Sequence, residues 1–267
     1  MNQSLRLSAL YRYPIKSTAG EALTEAVAGE EGLEGDRRYM VTRPDGSFVT
    51  ARTHPHLQRV STTLRTGGVT LHHPALPDLS LTHEEFSALP SPAQVWSDSF
   101  VGLATTREAD EWCSQALGES VKLLWLGERS PRYRQAIGKR VSFADGYPLL
   151  LIGQASLDEL NTRLRQPHRM AQFRPNLVVT GSLPYAEDEW HVLRIGEVEL
   201  IVDAPCSRCA MITVDPDTGR FMADKGEPLR TLAGYRRGVD GKVYFGQNLI
   251  VAKGGTLQVG APVEIIG

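Results

Sequence analysis

Apolar residues along this chain fall mostly in short runs or alternate with polar ones. Such runs occupy residues 5–13, 39–41, 69–72, 121–125, 177–180, 198–202, 211–214, 249–251 and 263–266. Many are bounded by Gly, Pro or Asp, the residues that end strands. Helical spacing shows at three places. In 156–164, Ser156 stands as an N-cap with Glu159 three residues on, and Leu157, Leu160 and Leu164 share a face. In 106–117, Ala109, Trp112, Cys113 and Ala116 do the same, and 228–237 is a third, shorter candidate. Residues 72–92, rich in Pro and His, read as loop. The pattern predicts a mainly β chain with a few helices (α+β), closer to barrels than to a doubly wound sheet. A polar, basic, weakly periodic stretch at 127–140, GERSPRYRQAIGKR, marks a candidate boundary between domains 1–126 and 127–267.

Composition narrows the class. The 267 residues allow one large domain or two medium ones, and 25 Gly with 16 Pro suit many tight connections. A net charge of -2 gives no bulk attraction for nucleic acid. The longest apolar run, at 148–152, is too short to cross a bilayer, and the first residues lack the pattern of a secretory signal. Three cysteines are an odd number, which argues against a secreted disulfide framework. A cytoplasmic protein with no membrane or nucleic-acid partner is expected.

Two of those cysteines, Cys206 and Cys209, stand together in DAPCSRCAMITVDPDTG with Arg208 between them. A thiolate is a soft metal ligand, and a neighbouring cation favours it. The spacing admits a redox thiol pair, half of a zinc site, or a single-thiolate metal site. The redox pair usually opens a helix, whereas 211–214 reads as a strand. Cys113 reads as core. His54, His56, His72, His73, His83, His168 and His191 are scattered and carry no metal role. Four further segments, YPIKS, GDRRY, FRPN and FGQN, each put polar side chains at the end of an apolar strand. Lys16, Arg37, Arg38, Arg174 and Arg208 could together hold a phosphate-bearing anion, or each could form an ion pair at a surface or between domains.

Taken in order, these segments resemble the MOSC family, in the branch that contains the amidoxime-reducing components and their bacterial counterparts. YPIKSTAG and GLEGDRRYMVTRPDGSFVTARTHPHL resemble its N-terminal β-barrel-like partner domain. FADGYPLLLIGQASLDELNTRL, FRPNLVVTG, YAEDEW, PCSRCAMITVDPDTG and FGQN resemble the MOSC β-barrel. The resemblance covers nearly the whole chain. It implies a pyranopterin molybdenum cofactor (molybdopterin) with Cys209 as metal ligand and catalytic residue. Lys16, Ser17, Arg37, Asp145, Arg174, Asn176, Ser207, Arg208 and Asn248 match cofactor-holding positions, and Cys206 is the weaker candidate for ligand, either supporting the site or standing by.

The activity implied is reduction of small N-hydroxylated compounds: amidoximes, hydroxylamines and hydroxylated base analogues. A plant-type iron–sulfur cluster needs four cysteines. Three cannot supply it, so electrons are expected from a separate ferredoxin or flavin reductase. The competing expectation is a carrier of molybdenum cofactor or of sulfur that turns over no substrate. A β-barrel interaction module without cofactor is the third.

Overall fold

A computed structural model describes residues 4–224 and 226–267. Its largest element is an eight-stranded sheet. In spatial order the strands are Glu21–Leu23, Arg6–Arg12, Leu177–Thr180, Leu149–Gly153, Tyr244–Lys253, Val198–Ser207, Val192–Ile195 and Val263–Ile265. Leu149–Gly153 and Leu177–Thr180 are buried almost throughout, as near-continuous apolar runs at a sheet centre should be. Leu7, Leu10, Leu151, Leu177, Leu200, Leu249 and Val263 converge on one core. The sheet curls until its sides touch: Leu7 donates to the Ala261 carbonyl at 3.0 Å, and Val263 to that of Leu5 at 2.9 Å. The first strand of the chain is thus stitched between 177–180 and the segment near Pro262.

A second core lies under a four-stranded sheet and a three-stranded one. The first is ordered Tyr39–Thr42, Lys122–Trp125, Asp98–Ala104, Pro90–Val95, and the second Ser61–Arg65, Gly68–His73, Leu76–Thr82. The helix Arg107–Leu117 packs Ala109, Trp112, Cys113 and Leu117 into that core. The Thr106 hydroxyl caps its start by accepting from the Ala109 N–H, and Gly118, left-handed at φ 71°, ends it. A smaller sheet pairs Glu25–Gly29 with Gly255–Gln258 and Gly32–Leu33.

Four places depart from the sequence reading. Residues 72–92 hold the strand Leu76–Thr82 and begin Pro90–Val95, because Leu79 and Leu81 point into the core. Pro77 is tolerated there because that strand lies at a sheet edge. Residues 211–214 are mostly the 3-10 turn Ala210–Thr213, closed by the Thr213 hydroxyl donating to the Ala210 carbonyl at 2.7 Å. The second helix is Gln154–Thr162, so Ser156 is inside it rather than capping it. The buried Glu187 carboxylate accepts instead from the Gly153 N–H at 3.0 Å and from the Ser156 hydroxyl. The third helix is confined to Leu229–Ala233.

Two features position the site. Leu149–Gly153 runs parallel to Leu177–Thr180, so the intervening chain crosses over through Gln154–Thr162 and Met170–Phe173 and re-enters at Arg174. The Val198–Ser207 strand slips register against Tyr244–Lys253 between Val202 and Ala204 and between Pro205 and Ser207. Such irregularities bend a strand, here beside the cysteine segment. Gly246, at φ 79°, makes the opposite strand fit: a Cβ there would lie 2.6 Å from the Ile152 side chain and 2.8 Å from the Leu151 carbonyl oxygen.

Candidate active-site cleft

Strand ends from both halves of the chain meet at one cleft of about 810 Å³, its open mouth included. Lys16 and Ser17 enter after the first strand, Arg37 before Tyr39–Thr42, and Asp145 from the loop before Leu149–Gly153. Arg174 and Asn176 come from the crossover's return, Ser207, Arg208 and Cys209 from the end of the bent strand, and Asn248 from its neighbour. All ten residues that the resemblance assigns to the site therefore line the same cleft. Arg38 does not: its guanidinium is held by Glu31 and the Gly127 carbonyl. Composition alone does not say which of the two adjacent arginines turns inward; the resemblance chose Arg37, which here has a left-handed backbone and lines the cleft.

Backbone strain concentrates here. Ser17, Arg37 and Arg174 have φ of 69°, 47° and 57°, three of six non-glycine residues with positive φ among the described residues. Each such residue costs on the order of 1–3 kcal/mol, and such residues cluster at sites that need a fixed geometry. Packing holds the strain in place. The Tyr13 ring lies 4.5 Å from the Arg37 guanidinium and 4.1 Å from that of Arg174. Arg37 donates to the Asp36 carboxylate at 2.5 Å and to the Asn176 side-chain oxygen at 3.1 Å. The same oxygen accepts from the Leu150 N–H, and the Asn176 amide donates to the Tyr11 carbonyl. Arg174 donates to the Thr18 carbonyl at 2.5 Å.

The charge is strongly positive. Lys16, Arg37, Arg52, Arg174 and Arg208 face one cleft carboxylate, Asp145. Its place inside the cleft mouth favours the neutral Asp145 acid, although the side chain is 56% exposed. The charge and hydrogen bond of Lys16, with Arg52 and Arg37 nearby, instead hold its pKa well below the usual carboxylate range. Burial pushes Lys16 down to about 8, against the opposing pull of Asp145, and pushes Arg174 down to about 10. The Lys16 ammonium donates to Asp145 and, at 2.8 Å, to the Phe143 carbonyl. An ammonium has three protons, so one is left for a ligand. Since Lys16 is charged below about 8, a phosphate monoester should bind more tightly at pH 7 than at pH 9. Calorimetry of wild type and Lys16→Met with a simple phosphate monoester checks this: the variant should bind weakly and lose the pH dependence that Lys16 contributes.

Cys209 stands in extended backbone at the head of the 3-10 turn, half-buried, with an Arg52 guanidinium nitrogen 3.9 Å from its sulfur. Arg52 is stacked 4.2 Å from Trp96 and lies 4.0 Å from Asp145. The sequence reading missed it, along with Tyr147 and Gln172, which also line the cleft. No spacing signal could have found Arg52, because nothing local marks which residues of the 49–52 stretch reach a pocket. Cys206 also borders the cleft and receives a hydrogen bond from Arg208 at 3.1 Å. Cys113 is buried in the second core.

The donor set fits a pterin–molybdenum group. Among the described residues no three His, Cys, Asp or Glu side chains gather as a ligand set. The half-zinc reading of the CxxC thus finds no second half. A metal at Cys209 would take its remaining ligands from a bound organic group. Four cations beside Arg52 suit the phosphate of such a group. The buried Nε of Arg208 has no hydrogen-bond partner among the described residues, which leaves a donor for a ligand.

Comparison with known proteins finds two family profiles in succession. The profile for the MOSC N-terminal beta barrel domain matches residues 4–120, and that for the MOSC domain matches 138–264. Mitochondrial amidoxime-reducing component 1 of Mus musculus is 35% identical over 97% of this chain and 81% of its own length. The Homo sapiens protein of the same name is 34% identical over 97% and 82%. Mitochondrial amidoxime reducing component 2 of Rattus norvegicus is 35% identical over 96% and 82%. With both profiles matched in order along a mainly β fold, the chain belongs to the MOSC family, its N-terminal MOSC domain preceding the MOSC domain.

Proposed function

We propose that this chain reduces small N-hydroxylated compounds with a molybdenum–pterin cofactor held in the cleft, taking electrons from a separate protein. The observation that carries the reading is the gathering of two thiols, Cys206 and Cys209, and five cations around a single strained cleft, in a chain whose relatives are named amidoxime-reducing components. When bound, the cofactor supplies the two electrons that, with two protons, convert N–OH to N–H and water.

The chain's own residues do the rest. Cys209 would hold the metal, and Arg52 beside it would favour the thiolate. Lys16, Arg37, Arg174 and Arg208 would hold the phosphate and pterin, with Ser17, Ser207, Asn176 and Asn248 as polar neighbours. Asp145 keeps Lys16 oriented. Asn176 is fixed by its bonds to Arg37, Leu150 and Tyr11, so it contributes orientation rather than a mobile contact. The separate donor would be a ferredoxin or a flavin reductase.

The test is molybdenum content together with reduction of benzamidoxime by methyl viologen radical. The protein is purified from a host that makes the cofactor. Near-stoichiometric molybdenum with turnover is expected, and NAD(P)H with the purified chain alone should give none. A folded protein free of molybdenum and pterin would overturn the reading. A persulfide on Cys209 in that protein would turn it into a sulfur carrier.

A further inference from the structure

We propose that the basic hairpin at 129–140 is the docking surface for an acidic one-electron carrier protein. The inference rests on the reading that electrons arrive from a separate donor. From Arg129 to Ala144 the sequence holds five cations, Arg129, Arg132, Arg134, Lys139 and Arg140, and no carboxylate, in a chain whose net charge is -2. The hairpin pairs Tyr133 with Arg140 and Arg134 with Lys139.

Two of the cations serve the fold. Arg132 is buried, bonded to Asp98 and to the carbonyls of Ser142, Ala144 and Asp145, and Arg134 also pairs with Asp98. The other three have no carboxylate within ion-pair distance among the described residues. Arg140 is tied only to the Ser130 carbonyl and the Tyr133 ring. Tyr133 is 53% exposed at the centre of this patch. An exposed Tyr among arginines has the composition of an interface hot spot.

The position fits electron delivery. Arg132 and Arg134 reach the Asp145 carbonyl at 2.9 and 3.5 Å, and Asp145 with Gly146 forms the cleft wall. The hairpin is therefore tied directly to a residue of that wall. A carrier bound there makes two visits to deliver the two electrons that N–OH reduction consumes. Charge complementarity requires its docking face to be acidic.

The test uses a plant-type [2Fe–2S] ferredoxin as probe and calorimetry as readout, so it needs no turnover. Arg129→Glu/Lys139→Glu is compared with Arg65→Glu/Lys253→Glu, which changes net charge equally at exposed sites elsewhere. At low salt the hairpin variant should bind about tenfold more weakly, with a flatter salt dependence, while the control changes less than about twofold. Both variants should reduce benzamidoxime with methyl viologen radical as wild type does. Equal loss in both variants, no loss in the hairpin variant, no ferredoxin binding by wild type, or preferential binding of DNA or anionic vesicles would overturn the proposal. Binding without any reductase activity would instead sink the functional reading and leave the docking surface in place.

Discussion

Cys209→Ser is expected to lower benzamidoxime reduction to assay background and to strip most molybdenum from the purified protein. Cys206→Ser should keep both. The two thiols sit three positions apart and both border the cleft, so sequence spacing alone does not rank them. Their surroundings do. Cys206 receives a hydrogen bond from Arg208 on the bent strand, whereas Cys209 begins the next turn and faces Arg52. A serine hydroxyl is a hard, weakly acidic donor of similar size, so it replaces the volume and removes the soft ligand. Half-exposed Cys209 is not part of any apolar core. The thermal midpoint should therefore move by less than the equivalent of about 1 kcal/mol. Full molybdenum and full turnover in Cys209→Ser would remove this residue from the site, and equal loss in both variants would point to a dithiol instead.

Arg37→Met should lose the cofactor and destabilise the protein even without it. The Asp36 side chain is fully buried and accepts from the Tyr13 N–H at 2.8 Å and from Arg37 at 2.5 Å. Removing the guanidinium leaves a buried carboxylate with one donor. Breaking a buried pair from one side costs about 3–5 kcal/mol, which for a chain of this size lowers the thermal midpoint by roughly 10 °C. Methionine has the same left-handed backbone cost as arginine, so that part cancels. Pairing the change with Asp36→Asn should recover much of the stability and none of the cofactor, because the uncompensated charge is gone while the cleft still lacks its cation. Thermal scans of the cofactor-free singles and the double variant check the coupling. Additive effects would mean that Asp36 and Arg37 do not depend on each other.

How much of this was legible in the sequence differs by element. Strand alternation is a short-range property, and 5–13, 177–180 and 249–251 appear as strands because their apolar faces are buried. The strand Leu76–Thr82 was hidden because Pro and His tolerated at an edge look like loop composition. The turn after Cys209 was misread because Met211 and Ile212 are apolar yet pack into two different cores. Lys16, Arg37, Arg174 and Asn176 were legible as polar groups beside strand ends, whereas Asp145 and Ser207 came only from the resemblance, and Asn248 lies inside its strand. The pairing of Lys16 with Asp145, across 129 residues, and the placement of Arg52 against Cys209, across 157, are products of packing that no local pattern encodes.

The stitching of the first strand into the far sheet has a consequence for synthesis. Arg6 lies opposite Thr180, so the strand leaves the ribosome long before its main partner exists. At 5–20 residues per second the wait is roughly 10–30 s, during which Leu7 and Leu10 have no core to enter. The cleft cannot assemble in that interval, since Lys16 and Arg37 are made early while Arg174 and Cys209 come late. A group that needs Lys16, Arg37, Arg174 and Cys209 together can therefore be held only after residue 209 has been made, and nascent molecules stalled before residue 177 are candidates for chaperone capture through their own N-terminus.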